Sequence, residues 1–212
     1  MAMLCYPVDV APSDLELLER WRSGDAAAGE ALFERHFDAV VRFFRNKTDG
    51  AADDLVQKTF LGCVRGQERF RGESSFRTYL FVVAHNVLKN HYREQRRAEV
   101  DFGVSSVFEL APSPSTIVAQ QRTAQLLLAA LRRIPLELQV ALELHYWEGL
   151  SSTEIGAVLE LPTGTVKTRL RRAKQLLGQH MQTLNGRMEP LVATEDDLEK
   201  WARAVRHDLL AD

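Results

Sequence analysis

Between Pro162 and Gly178 the chain carries Lys167, Arg169, Arg171, Arg172 and Lys174 without one acidic neighbour. A second basic island, Arg65, Arg69, Arg71, Arg77, Lys89, Arg93, Arg96 and Arg97, is opposed only by Glu68, Glu73 and Glu94. The formal net charge of -2 and the pI of about 6.3 conceal this segregation. A charged face is most often simply a solvated face, but two concentrated islands at separated positions suit a polyanion gripped in two places. Arginine and lysine can pair with guanine edges or phosphates. The threonines interleaved with the later island, Thr163, Thr165 and Thr168, offer a hydroxyl and a methyl that suits thymine.

Other chemistries find no support. The histidines His36, His85, His91, His145, His180 and His207 lack metal-ligand spacing, and no serine or cysteine sits in a recognisable nucleophile setting. The glycines are scattered, so no phosphate-cradling loop is present. Cys5 and Cys63 have no partner at metal-binding spacing and read as free thiols rather than a disulfide framework. The expectation is a non-enzyme with no metal and no cofactor. No apolar run reaches the roughly 18 residues of a membrane helix, and the N-terminus, with Asp9, Asp14 and Glu16, lacks a secretory pattern. A soluble, cytoplasmic chain without membrane insertion is expected.

The elements that must position these residues are helical, because apolar residues recur at helical rather than alternating spacing. A first helix begins at Ser13, which with Glu16 forms a capping box, and ends at Gly24. Asp25 starts a second, whose Phe33, Phe37, Val40 or Val41 and Phe44 form a core stripe. A third runs from about Ala52 to Arg65 and a fourth from about Phe76 to Arg97. The pattern fails from Ala98 to Ser115, where Gly103, Pro112 and Pro114 sit among serines and Glu99, Asp101 and Glu109, as in a flexible acidic linker. Helical spacing returns at about Ile117 and continues to Leu184, interrupted at Ile134 to Pro135, at Gly149 and at Pro162 to Gly164. The expected fold is all-α: two small helical domains joined by a flexible linker, with domain 13–97, linker 98–116, domain 117–184 and an extension 185–212.

In the second domain Ser151 and Glu154 form another capping pair, and Ile155, Val158 and Leu159 face inward. After a break at Leu161 to Gly164, Val166, Leu170, Ala173 and Leu177 fall in one narrow arc. Thr165, Lys167, Thr168, Arg171, Arg172 and Lys174 are left on the open side. A helix, a short turn and a second helix with polar and basic residues near its start is a helix-turn-helix arrangement.

Three ordered blocks carry a family resemblance. Asp53 to Leu61, DDLVQKTFL, resembles the polymerase-binding segment of extracytoplasmic-function (ECF) RNA polymerase sigma factors. Arg69 to Leu80, RFRGESSFRTYL, followed by Ala84 to Leu88, resembles the promoter-opening region of the same family. Tyr146 to Leu177 is similar to its fourth conserved region. Together the blocks cover roughly Asp14 to Leu184.

The resemblance implies that Asp53, Asp54, Gln57 and Phe60 dock on a basic coiled coil of the largest polymerase subunits. Without the later blocks, the two carboxylates would read as a helix N-terminus complementing its dipole. Lys58 stands where the family usually has glutamate, a charge of the wrong sign toward a basic partner. The loop Phe70 to Ser75, with Phe70, Arg71, Ser74 and Ser75, would receive a base flipped out of the minus-ten element. Asn86, Lys89, Asn90 and Arg93, at i, i+3, i+4 and i+7, would meet minus-ten DNA: asparagines can read base edges, and basic groups can hold phosphates. His85 and Tyr79 replace the arginine and tryptophan of many relatives. Thr163, Thr165, Lys167, Thr168, Arg171, Arg172 and Lys174 would read the minus-thirty-five element. The implied partners are core RNA polymerase, promoter DNA and an anti-sigma factor.

A stand-alone helix-turn-helix regulator is the alternative, with the first domain as a sensing or dimerising module; the Asp53 and RFRGESSFRTYL blocks favour the sigma reading. A helical protein-binding adaptor would leave the basic islands unexplained. The extension offers Thr194 as a cap, acidic residues Glu195 to Asp197, and an apolar stripe of Leu198, Trp201, Ala202, Val205 and Leu209. It reads as a short helix that either covers the second domain or shields a basic island.

Overall fold

The computed structural model describes residues 11–48, 50–70, 72, 74–102 and 126–185. The helices are α1 (Asp14–Arg22), α2 (Ala26–Arg45), α3 (Ala52–Gly66), α4 (Phe76–Phe102), α5 (126–131), α6 (Leu136–Tyr146), α7 (Ser152–Leu159) and α8 (Thr163–Asn185), with one 3-10 turn at Gln67–Arg69. Among the described residues there is no strand. The expectations for Cys5, Arg71, residues 103–125 and the 186–212 extension fall outside the described residues.

Local chemistry sets the boundaries. Ser13 and Glu16 cap α1 reciprocally, Asp25 accepts from the Ala28 amide to start α2, and Ser151 with Glu154 repeats the capping box on α7. Pro135 precedes α6, and Gly149, at φ +64°, supplies the left-handed turn into the Ser151 cap. Two boundaries differ from the sequence expectation. Helix α4 continues through Phe102 rather than stopping near Arg97, because Ala98 and Glu99 are sound helix formers and Gly103 is the first breaker. Helix α8 opens at Thr163, so the break is shorter than Leu161 to Gly164; left-handed Glu160 ends α7, and the amides of Thr165 and Val166 reach back to the Pro162 carbonyl.

The α2 stripe is also rotated from expectation. Leu32, His36, Ala39, Val40, Phe43 and Phe44 face the core, whereas Phe37 is 48% exposed. His36 can take an inward place because its ring nitrogen meets the Asp14 carboxylate at 2.7 Å, and Arg35 pairs with the other Asp14 oxygen at 2.7 Å. Burial pushes the Asp14 carboxyl up, but the bonds from Arg35 and His36 outweigh it and hold it below the usual range.

Helices α1 to α4 pack in sequence, α6 and α7 pack on α8, and α4 packs on α7. One apolar cluster, α5, α6 and α8 residues such as Leu131, Leu142, Ala173 and Leu177 with Trp147, is internal to the second domain. The larger cluster crosses the domain boundary. Phe43, Phe81, Ala84 and Leu88 share it with Val140, Leu144, Ile155, Val158 and Val166. The domains, read from sequence as independent, therefore complete part of their core against one another.

Candidate nucleic-acid interface

In α8, Val166, Leu170, Ala173 and Leu177 are buried, while Thr165, Lys167, Thr168, Arg171 and Arg172 are exposed and Thr163 and Lys174 half-buried. The helix thus places every residue assigned to it by the sequence reading on or at the edge of its open face. Thr168 donates its hydroxyl to the Gly164 carbonyl, leaving the methyl and an oxygen lone pair available. Arg169 turns the other way, onto Glu137 at 2.9 Å. The turn between α7 and α8 is pinned closely: a β-carbon on Gly156 would meet the Leu161 carbonyl oxygen at 2.7 Å, so only glycine allows the two helices this approach.

On α4, Phe76, Leu80, Phe81, Ala84 and Leu88 are buried, and Asn86, Lys89, Asn90 and Arg93 are exposed. His85 sits between these faces. Burial, with Lys89 nearby, lowers its pKa and favours the neutral ring; a hydrogen bond to the Val158 backbone opposes this. Lys89 approaches Glu160, at the end of α7, at 3.9 Å. A cavity of about 1100 Å³ opens here between α4 and the second domain, floored by Leu88, Leu136, Val140 and Leu159 and rimmed by Lys89, Arg93, Arg96 and Arg169.

The loop before α4 is more structural than its sequence suggested. Phe70 is buried against Tyr79, ring centroids 4.7 Å apart, and the Arg22 guanidinium binds its carbonyl oxygen. Ser75 caps α4, its hydroxyl accepting from the Thr78 amide at 3.1 Å. Ser74 is exposed. Tyr79 packs between Phe70 and Phe76 and is half-buried.

On α3, Leu55, Val56, Thr59 and Cys63 point inward, and burial pushes the Cys63 thiol up to about 12, so it remains protonated. Asp53, Asp54 and Gln57 point outward. Lys58 reaches Asp54 at 2.6 Å, so its charge is answered within the helix rather than projecting alone. Phe60 stacks on exposed Phe37 with ring planes 8° apart. The pair borders an apolar groove of about 570 Å³ shared with Trp21, Phe33 and Val64 and edged by Glu30, Glu34 and Asp38. The sequence reading assigned Asp53, Asp54, Gln57 and Phe60 to this face but placed Phe37 in the core stripe of α2, where the structure leaves it exposed.

Residues 32–98 match the family model of Sigma-70 region 2, and residues 124–177 match Sigma-70, region 4. The ECF RNA polymerase sigma-E factor of Escherichia coli K12 is 30% identical over 183 residues, covering 81% of this chain and 96% of the relative. This chain belongs to the ECF family of RNA polymerase sigma factors. As a sigma factor it directs transcription initiation. The RNA polymerase sigma-H factor of Pseudomonas aeruginosa is 29% identical over 185 residues, covering 81% of this chain and 95% of that one. Two solved structures share the fold. The sigma factor RpoE in complex with the anti-sigma factor NepR from Bartonella quintana has a TM-score of 0.63 at 22% identity, covering 76% of this chain and 98% of that chain. CnrH in complex with the cytosolic domain of CnrY has a TM-score of 0.58 at 24% identity, covering 80% and 97%. For this sigma factor, α1 to α4 contain region 2 and α5 to α8 region 4. Among the described residues no helix is long and apolar enough to cross a membrane, and no acidic, histidine or cysteine group could hold a metal ion.

Proposed function

We propose that this sigma factor docks on core RNA polymerase through Asp53, Asp54, Gln57 and Phe60. Region 2 engages the minus-ten element with Asn86, Lys89, Asn90 and Arg93 and the loop around Ser74, and region 4 reads the minus-thirty-five element with the open face of α8. The observation that carries this reading is the pairing of two exposed basic helix faces, one per sigma region, with a separate acidic and apolar face on α3. Cations suit DNA phosphates and guanine edges; carboxylates beside stacked phenyl rings suit a basic protein surface. The functional limits follow as 13–97, 98–116 and 117–184, with 185–212 outside both. The chain works in the cytoplasm as a specificity subunit without catalysis of its own, and an anti-sigma factor is its natural regulator, as the RpoE and CnrH complexes suggest by analogy.

The test is to add the protein to core polymerase and map transcripts genome-wide, then to compare variants on a normal and a pre-melted minus-ten template. Lys167→Ala and Arg171→Ala should each cost about 1–3 kcal/mol of upstream-element use if the contact is bidentate. Asn86→Ala should impair opening and be rescued by pre-melting. Pre-melting that rescues the α8 variants but not Asn86→Ala overturns the division of labour. Tight sequence-specific binding by the free protein, with no transcription on adding core, favours a stand-alone regulator.

A further inference from the structure

The cavity of about 1100 Å³ between α4 and the second domain has a chemistry that promoter DNA does not explain. Its floor is aliphatic: Leu88 comes from α4, Leu136 and Val140 from α6, and Leu159 from the end of α7. Nucleic acid is gripped through phosphates and base edges or stacked on aromatic rings, and a trough of leucines serves none of these. Along the α4 side, Lys89, Arg93 and Arg96 fall at i, i+4 and i+7, so one helix face lays a row of cations beside the trough. Arg169 of α8 is answered by Glu137 at 2.9 Å, and Lys89 approaches Glu160 at 3.9 Å. Arg93 and Arg96 are exposed, and among the described residues no ion pair engages either of them.

Size and charge together select the occupant. Small-molecule sites reach about 1,000 Å³ and are mostly apolar, with a few charged groups that fix orientation. A helix with its side chains is about 10–12 Å across, so this volume admits only about two turns. A docking helix of ordinary length, roughly three to four turns, would overhang it. The cavity therefore matches a compact molecule better than a helical segment. Two guanidiniums one turn apart can converge on a single carboxylate through paired N–H donors, and Lys89 adds to the positive potential. An aliphatic or aryl body would lie on the leucines and leave water. A neutral apolar molecule would leave the arginines unused, and a small hydrophilic anion would leave the floor unused. An amphiphilic anion uses both.

We propose that this cavity is a binding site for an amphiphilic carboxylate, its apolar body on Leu88, Leu136, Val140 and Leu159 and its carboxylate on Arg93 and Arg96. Because Lys89 and Arg93 are also assigned to minus-ten DNA, an occupied site takes cations away from that DNA face and makes the sigma factor answer to a small molecule. That consequence rests on the promoter reading above; the site itself does not.

The test uses the full chain and decanoate, titrated by calorimetry below its micellar concentration beside decanol, decyltrimethylammonium and acetate. Decanoate should saturate a single site and bind at least about tenfold more tightly than each of the others, since hydrogen bonds to a charged group are worth roughly that factor or more. Arg93→Gln with Arg96→Gln, both exposed positions, should lose about the same factor while leaving the thermal melt of the ligand-free protein in place. Leu136→Trp, which fills the half-buried floor and keeps every cation, should also abolish binding. Equal binding of decanoate and decanol, or binding that survives both variants, overturns the site. An acidic amphipathic peptide that binds there while decanoate does not would make the occupant a protein segment and overturn it as well. With core polymerase added, decanoate should lower minus-ten opening by the wild type and spare Leu136→Trp, each compared with its own ligand-free rate. Binding without that loss overturns the competition with DNA. A wild type that starts no transcription with core would sink the promoter reading instead, while the titration still reports the site.

Discussion

The α3 face and the domain junction are both built from carboxylates and rings, yet they behave oppositely. Asp53 and Asp54 stand in water beside an open groove; Glu143 and Glu148 are buried against cations. On α3 an exposed carboxylate keeps its hydration, and its interaction with Lys58 is screened by water and adds little to stability. At the junction, burial drives the Glu143 carboxyl up and the Lys47 ammonium down, each opposed by the charge of the other. Charge in the first region is available to a partner. In the second it has already found one.

The largest expected effect breaks this contrast at its deepest point. Lys47→Ala leaves Glu143 buried without its cation and should weaken the packing between the domains by about 3–5 kcal/mol, whereas Lys47→Met with Glu143→Leu should be near neutral or stabilising. Chemical denaturation of the two variants, with scattering as a second probe, checks the ordering. A double variant as unstable as the single one would mean that shape, not charge, governs the junction.

On α3 the expected effects reverse. Phe37→Ala with Phe60→Ala should lower core-polymerase affinity by about 2 kcal/mol or more, as for truncated aromatic anchors, with a much smaller loss of fold stability. A titration against core polymerase beside a thermal melt separates the two. Unchanged affinity would remove the groove from the docking face.

Much of the molecule was legible in sequence because its signals are local. Ser13, Asp25 and Ser151 announced their helices by capping chemistry, and Val166, Leu170, Ala173 and Leu177 announced the buried side of α8 by period alone. The open face of α8 followed by subtraction. The junction was not legible, since Arg42, Lys47, Gln139 and Glu143 are polar residues at inward positions and their reason lies about a hundred residues away in the chain. A hint was present: α6, LELQVALELHY, is apolar nearly all round, a pattern that calls for burial of every face. His36 misled in the same way, its place in the core depending on Asp14 from another helix. Ser75 was assigned to minus-ten DNA by family likeness alone, and that likeness did not announce that its hydroxyl also caps α4.

A smaller effect compares the two regions through their helix caps. Ser151→Ala removes the oxygen that accepts from the Glu154 amide and the hydroxyl that donates to the Glu154 carboxylate, and should cost about 1 kcal/mol. Ser13→Ala, at the matching box on α1, should cost a similar amount. Because α7 packs on α4, the first loss should also loosen the packing between the two domains, while the second should stay within the first domain. Hydrogen exchange along α4 checks this, and equal loosening of α4 by both caps would mean that general destabilisation, not the packing of α7, is being read.

The smallest expected effect is a pH dependence centred on His85. Its ring lies on the α4 side of the junction, facing Lys89 on its own helix, Glu160 and the Val158 carbonyl on α7, and Glu137 on α6. Desolvation first, then Lys89, holds its pKa below the ordinary 6.5, so the packed form prefers the neutral ring. The sign follows from linkage: this contribution is complete above about 6.5 and is lost as pH falls through the depressed native value, because the unpacked form takes up the proton more readily. Asp14, Asp25 and Glu154, all shifted below the usual carboxylate range, stay ionised through that window and do not contribute to the slope. Urea denaturation from pH 7.5 to 5.5 should show the wild type losing stability toward the acid end and His85→Gln losing less. A slope unchanged by His85→Gln would assign the acid sensitivity to another group and leave the junction governed by its ion pairs alone.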